Sequence, residues 1–83
     1  MQVAELETRL LMFVRDELGV DDPDLDRETT LVSTGLVDSA NLVRLAAFVE
    51  RTANVQIPDR DIDAERFDTV GRIVAYVTER RGG

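Results

Sequence analysis

A serine follows an aspartate where a helix is predicted to begin. Asp38 is a good N-cap residue and Ser39 takes the first helical position, after a loop that contains Gly35. The unpaired N–H groups and the positive dipole at a helix N-terminus favour a phosphate attached there. No His or Lys is available to activate this hydroxyl. Ser39 is therefore predicted to be modified by another protein, unless the pair is only a capped helix start.

Composition excludes most other chemistry. The 83 residues include 17 acids and 10 bases, all of them arginine, for a formal net charge of −7, and there is no His, Cys or Trp. These absences exclude Ser-His-Asp and Cys-His triads, lysine Schiff bases, disulfides and zinc sites of Cys and His. Nucleic acid is not an expected partner either, because affinity for it depends on clustered cations. The chain is not expected to be an enzyme.

Two aspartate clusters are the remaining candidates for a metal site. Residues 22–26 and 59–63 have aspartate at every second position, as an EF-hand loop does at its start. The sixth and twelfth positions should then be Gly and Glu, but they are Arg27 and Ser33 in the first segment, and Ala64 and Val70 in the second. We predict solvated acidic loops and no metal. Acid–base catalysis by paired carboxylates would need a cleft, for which so small a chain has little volume.

The elements that position Ser39 are predicted to be helices. Apolar residues at three- and four-residue steps indicate a first helix from Val3 to Leu18, with Gly19 as its stop. The second helix ends at Asn54, and the last begins after Asp68 or Thr69. The predicted buried stripes are Leu42, Leu45, Ala46, Val49 and Ala53, widened by Val43 and Phe48, in the second helix, and Val70, Ile73, Val74 and Val77 in the last.

The predicted connections between the helices differ in length. Residues 20–38 open with turn chemistry and are too many for a structureless loop in a compact domain. We expect an ordered loop with one short helical turn, tethered by Leu25, Leu31, Val32, Leu36 and Val37. Val55-Gln56-Ile57 is predicted to be an extended connector, and residues 59–65 hold a helical turn around Ile62. The fold class is therefore an all-α antiparallel bundle.

The chain is expected to form one domain over residues 1–83, with the last few residues frayed. Its longest apolar run, Leu10 to Val14, is too short to cross a membrane. Glu5 and Glu7 stand where a signal peptide would be cationic. We expect a monomer in a reducing, cytoplasmic setting.

Three motifs resemble those of the acyl and peptidyl carrier proteins. Gly35-Leu36-Val37-Asp38-Ser39 resembles the family's attachment motif, Val55-Gln56-Ile57-Pro58-Asp59 its connector after the second helix, and Phe67-Asp68-Thr69-Val70 the entry to its last helix. The motifs keep the family's order and spacing over nearly the whole chain. The resemblance implies a small four-helix bundle with a long first loop and a short third helix.

The same resemblance implies a discrete acyl carrier protein. Ser39, with Asp38 and Gly35 beside it, would receive 4′-phosphopantetheine from coenzyme A, and the thiol of this arm would hold an acyl or aminoacyl group as a thioester. The implied partners are a magnesium-dependent phosphopantetheinyl transferase, a loading enzyme, and an acyltransferase or synthase that accepts the cargo. The alternatives are a carrier of the nonribosomal-peptide type and, in another class, an acidic helical interaction module without a prosthetic group.

Two departures from the family's pattern concern partner choice. The residue after the serine is Ala40, where the family usually has Leu or Met, and Arg44 stands where fatty-acid carriers often have an acid. A reversed charge discriminates among partners, so we expect a role in polyketide or related specialised-metabolite assembly. The predicted docking face comprises Leu36, Val37, Ala40, Arg44, Ala47, Glu50 and Arg51, with Asp61, Ile62 and Asp63 as a secondary contact.

Overall fold

Four α-helices form the protein in a computed structural model that describes residues 2–82. Helix α1 spans Val3–Asp16, α2 Ser39–Ala53, α3 Ala64–Phe67 and α4 Val70–Gly82, and a 3-10 turn at Asp59–Asp61 precedes α3. Residues 2–82 contain no strand. The prediction of an all-α bundle with a long first loop and a short third helix is confirmed.

The ends of the long helices follow local chemistry. Helix α1 ends at Asp16, two residues before Leu18, and Gly19 then turns the chain with φ +74°, a conformation that favours glycine. The N–H of Val20 donates to the carbonyl of Val14 at 3.2 Å and closes this end. Helix α2 ends as predicted at Asn54, which adopts the left-handed conformation with φ 56°.

Side chains from all four helices and their connections form the core, which is aliphatic apart from Phe67 of α3. Every residue of the stripes predicted for α2 and α4 is buried, apart from the two that were expected to widen the α2 stripe. Phe48 is half-buried and stacks on Phe13 with ring centroids 4.2 Å apart. The prediction that Val43 widens the buried stripe was wrong, since this residue is 60% exposed. One residue advances about 100° around a helix, and position 43 lies at the edge of the apolar face.

The long connection between α1 and α2 packs against the core without forming a helix. Leu31 and Val37 are buried in it, and Leu25 and Val32 are half-buried, so the predicted tethering is confirmed for these four. The prediction that Leu36 attaches the loop to the core was wrong, since this residue is 42% exposed. The segment consists of turns, and the helical turn expected within it is not found.

Helix α4 continues to Gly82. Met1 and Gly83 lie outside the described residues, so the fraying of the final residues stays a prediction. No helix within residues 2–82 combines the length and apolar character needed to cross a membrane.

Candidate functional site

Ser39 lies exposed at the first position of α2. Asp38 precedes it in an extended conformation, and its carboxylate accepts a hydrogen bond from the N–H of Asn41 at 2.8 Å. The predicted N-cap is therefore confirmed. The first turn of α2 holds no acidic side chain, so the positive end of the helix dipole favours an anion attached to the Ser39 hydroxyl.

Glycine shapes the approach to this serine. Gly35 has φ +82°, which L-residues with a side chain rarely adopt, and its N–H donates to the carbonyl of Val32 at 3.1 Å. The chain turns there and returns to the core at Val37, whose N–H donates to the carbonyl of Leu31 at 2.9 Å. The loop thus delivers Asp38 and Ser39 to the surface.

A groove of about 430 Å³ opens beside the serine, lined by Ser39, Leu42, Val43, Asp59 and Ile62. Helix α2 forms one side of the groove, and the 3-10 turn with Ile62 forms the other. Its lining is mostly apolar at Val43 and Ile62. A long amphipathic chain attached to the Ser39 hydroxyl fits this site, because it can lie along the groove or extend into solvent.

Asp68 fixes the loop that leads to the site. It is only 8% exposed, and its Oδ1 accepts the N–H groups of Leu31, Val32 and Ser33 at 3.2, 2.9 and 2.9 Å. The Ser33 N–H is the main cause that holds the pKa of Asp68 below its ordinary value of 3.8, although burial acts in the opposite direction. One carboxylate therefore organises a segment about 35 residues away in sequence.

Sequence reasoning missed this role of Asp68. The sequence left Asp68 and Thr69 as alternative starts of the last helix, and the structure assigns that task to Thr69, whose hydroxyl accepts the N–H of Arg72 at 3.0 Å. The sequence did contain a signal for this role. Asp68 and Thr69 can each cap a helix, and because one cap is sufficient, the other residue is available for a different task.

Charged side chains hold the opposite side of the groove. The Tyr76 hydroxyl donates to Asp61 at 2.5 Å, and the guanidinium groups of Arg80 and Arg66 lie 3.6 and 3.9 Å from the same carboxylate. The Tyr76 hydrogen bond is the main cause that lowers the pKa of Asp61, and the nearby arginines add to it against burial. The pKa of Tyr76 is raised, first by burial and then by this hydrogen bond.

Two of the three residues of the predicted secondary contact make hydrogen bonds within the protein. Asp61 binds Tyr76, and Asp63 caps α3 by accepting the N–H of Arg66 at 2.9 Å. Ile62 lies between them and lines the groove. Of these three residues, only Ile62 presents its side chain to the space beside Ser39.

The residues of the predicted docking face differ in their exposure to solvent. The prediction that Val37 belongs to the docking face was wrong, because the loop folds this residue into the core and leaves it 1% exposed. Glu50 is half-buried, and its carboxylate accepts the N–H of Ile57 at 2.8 Å. The others remain accessible: Leu36, Ala40, Arg44 and Arg51 are exposed, and Ala47 is half-exposed.

The aspartates of residues 22–26 stabilise turns. Asp22 accepts the N–H of Asp24 at 2.9 Å, and Asp26 accepts the N–H of Glu28 at 2.8 Å. Within residues 2–82, no group of three or more acidic side chains is arranged to hold a metal ion. Local hydrogen bonding accounts for these two aspartates.

Comparison with known proteins gives consistent results. A family model described as a phosphopantetheine attachment site matches residues 8–77. The acyl carrier protein of Clostridium perfringens (strain SM101 / Type A) is 35% identical over 71 residues, which cover 86% of this chain and 91% of that protein. The acyl carrier protein of Thermotoga maritima is 31% identical over 78 residues, which cover 94% of each chain.

Proposed function

The chain belongs to the acyl carrier protein family, whose members are carriers and not enzymes, and we propose that Ser39 is its attachment point for the family's 4′-phosphopantetheine. The observation that supports this choice is the exposed hydroxyl of Ser39 at the capped start of α2, beside an open groove. The chain's other serine, Ser33, lies in the loop, where its N–H is bound to Asp68.

The attachment reaction requires a separate enzyme. The Ser39 oxygen forms a bond to phosphorus as the phosphoanhydride of coenzyme A breaks and 3′,5′-ADP leaves. The transferase has to accept the hydroxyl proton, because this chain contains no His and no Lys. Asp38 keeps Ser39 at the helix start, where the dipole stabilises the new phosphodiester charge. The attached arm supplies a thiol on which acyl groups are carried as thioesters.

The proposal extends to partners and pathway. The partners are a phosphopantetheinyl transferase, a loading enzyme, and an acyltransferase or synthase that accepts the cargo. Arg44, where fatty-acid carriers often have an acid, supports a role in polyketide or related specialised-metabolite assembly. We place the protein in the cytoplasm, where reducing conditions keep a thiol free.

Mass spectrometry of intact protein tests the attachment. The chain, Ser39→Ala and Ser33→Ala are each incubated with coenzyme A, Mg²⁺ and a broad-specificity phosphopantetheinyl transferase. We expect one phosphopantetheine adduct on the wild type and on Ser33→Ala, and none on Ser39→Ala. An adduct on Ser39→Ala, or no adduct on the wild type with two different transferases, would contradict the proposal.

A further inference from the structure

Helix α2 is cationic on its outward face although the chain is acidic. The helix contains Arg44, Arg51 and one acid, Glu50, so its side chains sum to +1 in a chain of net charge −7. The Glu50 carboxylate is turned to the Ile57 N–H at 2.8 Å. The two guanidinium groups, in contrast, belong to exposed side chains. A molecule that approaches this face therefore meets positive charge.

The two arginines form a regular pattern. They are seven residues apart, which places them on one face of α2 and about 10 Å apart along its axis. Ala47 lies between them and Ala40 lies one turn before Arg44. Arg44 is also oriented, since it donates to the Oδ1 of Asn41 at 3.1 Å. Alanine at both positions lets a partner's backbone or side chains come close to the helix.

Apolar side chains extend this surface toward the serine. Leu36 and Val43 are two of the four large hydrophobic residues exposed within residues 2–82. Leu36 precedes Ser39 by three positions, and Val43 follows it by four. Exposed apolar groups that adjoin a charged rim are typical of protein interaction sites.

Two segments outside α2 carry charge of the opposite sign. Residues 21–28 contain five acids and one arginine, and residues 59–68 contain five acids and two arginines. An acidic partner surface is repelled by both segments.

Arginines also lie in α4, but Arg72 donates to the Glu65 carbonyl at 3.1 Å and Arg80 lies 3.6 Å from Asp61. The arginines of α2, in contrast, lie on the helix that begins at Ser39. Charge complementarity together with the position of Ser39 therefore favours α2 as the docking side.

We propose that the enzymes that load or unload the arm dock on α2 with a surface that presents carboxylates to Arg44 and Arg51. The same surface makes an apolar contact with Val43 and Leu36. The proposal rests on the proposed carrier function, because docking there is useful only if Ser39 bears the cargo. It predicts that the partner's docking surface is acidic and partly apolar.

Two synthetic helical peptides test this surface on the unmodified chain. Both share one apolar face; one has Glu at two positions seven residues apart, and the other has Lys at the same positions. In a titration of ¹⁵N-labelled protein, we expect the Glu peptide to shift the amide signals of Leu36, Val43, Arg44 and Arg51. The Lys peptide should shift signals of residues 21–28 and 59–68 instead.

Charge-reversed variants provide the matched control. Arg44→Glu with Arg51→Glu changes the net charge by the same amount as Arg9→Glu with Arg15→Glu, which lie exposed on α1. At about 0.5 kcal/mol per exposed pair, the α2 variant should weaken the Glu peptide about fivefold or more, and the α1 variant much less.

Three results would overturn the proposal: equal loss in both variants, shifts by the Glu peptide that are confined to residues other than Leu36 and those of α2, or binding of the Lys peptide to the α2 face. Because the peptides bind unmodified protein, this test is independent of whether Ser39 accepts the arm.

Discussion

The two flanks of Ser39 are held in different ways. On the loop side, one buried carboxylate, Asp68, accepts three consecutive backbone N–H groups. On the α3 side, Asp61 holds the 3-10 turn to α4 through the hydroxyl of Tyr76 and, at longer range, Arg80, and it also lies near Arg66 of α3. The first flank depends on backbone hydrogen bonds to a buried carboxylate, whereas the second depends on contacts between partly exposed side chains.

This difference indicates which flank can move. A buried polar group that loses its partner is left unsatisfied, so the loop side is fixed strongly. Long ion pairs between partly exposed side chains, like those of Asp61 at 3.6 and 3.9 Å, contribute little and are weakened by salt. The α3 side, which carries Asp59 and Ile62 into the groove, is therefore the more deformable wall. A carrier can keep its serine in a fixed place while the groove beside it adjusts to the cargo.

The strongest test of this contrast is Asp68→Ala. Removing the carboxylate leaves the N–H groups of Val32 and Ser33 without their acceptor, whereas that of Leu31 keeps the Asp68 backbone carbonyl at 2.7 Å. We expect the free energy of unfolding to fall by about 2 to 3 kcal/mol. Urea unfolding followed by circular dichroism measures the change. Asp68→Asn, which keeps one acceptor oxygen, should lose less. A loss below about 1 kcal/mol for Asp68→Ala would show that the loop is held by other contacts.

Acid should also weaken the flank that Asp68 holds. The folded pKa of Asp68 lies below 3.8, so the unfolded state binds the proton more readily and the stabilisation from this group is complete above about pH 5. It is lost as the pH falls through the folded pKa. We expect the free energy of unfolding of the wild type to fall more steeply below pH 4 than that of Asp68→Asn. Parallel curves would contradict the assignment.

The smallest expected effect is local to the α3 flank. Tyr76→Phe removes the hydroxyl that binds Asp61 but keeps the ring that lies near Phe67 and Arg80. Amide hydrogen exchange across residues 59–63 should become about three- to tenfold faster, with little change in the loop.

Thr78→Val is the matched control for this variant. It also removes one hydroxyl hydrogen bond from α4, that of Thr78 to the Val74 carbonyl, without a contact to the 3-10 turn. Equal acceleration in the two variants, or acceleration of the loop by Tyr76→Phe, would show that the flanks are not independent.

Local signals in the sequence were sufficient for the helices and for the serine. The cap at Asp38, the end at Asn54 and the turn at Gly35 depend on neighbouring residues alone, and each is found as predicted. The buried stripes follow from helical periodicity, because the period decides which residues share a face.

Contacts distant in sequence could not be predicted in the same way. The roles of Asp68 and Glu50 depend on backbone N–H groups at Leu31–Ser33 and Ile57, which only the folded chain brings near them. The exposure of Leu36 has a similar origin, since no period runs through the loop and only the folded chain shows which of its apolar residues reach the core. The sequence therefore located the serine but not what holds its surroundings in place.

The central claim is that Ser39 at the start of α2 carries the phosphopantetheine arm. Fragmentation mass spectrometry of the modified intact protein tests it most directly, because it locates the adduct within the chain. The account predicts a single adduct between Val37 and Ala40, on Ser39. An adduct on Ser33 or Thr34, or an unmodified chain after treatment with two active transferases, would contradict it.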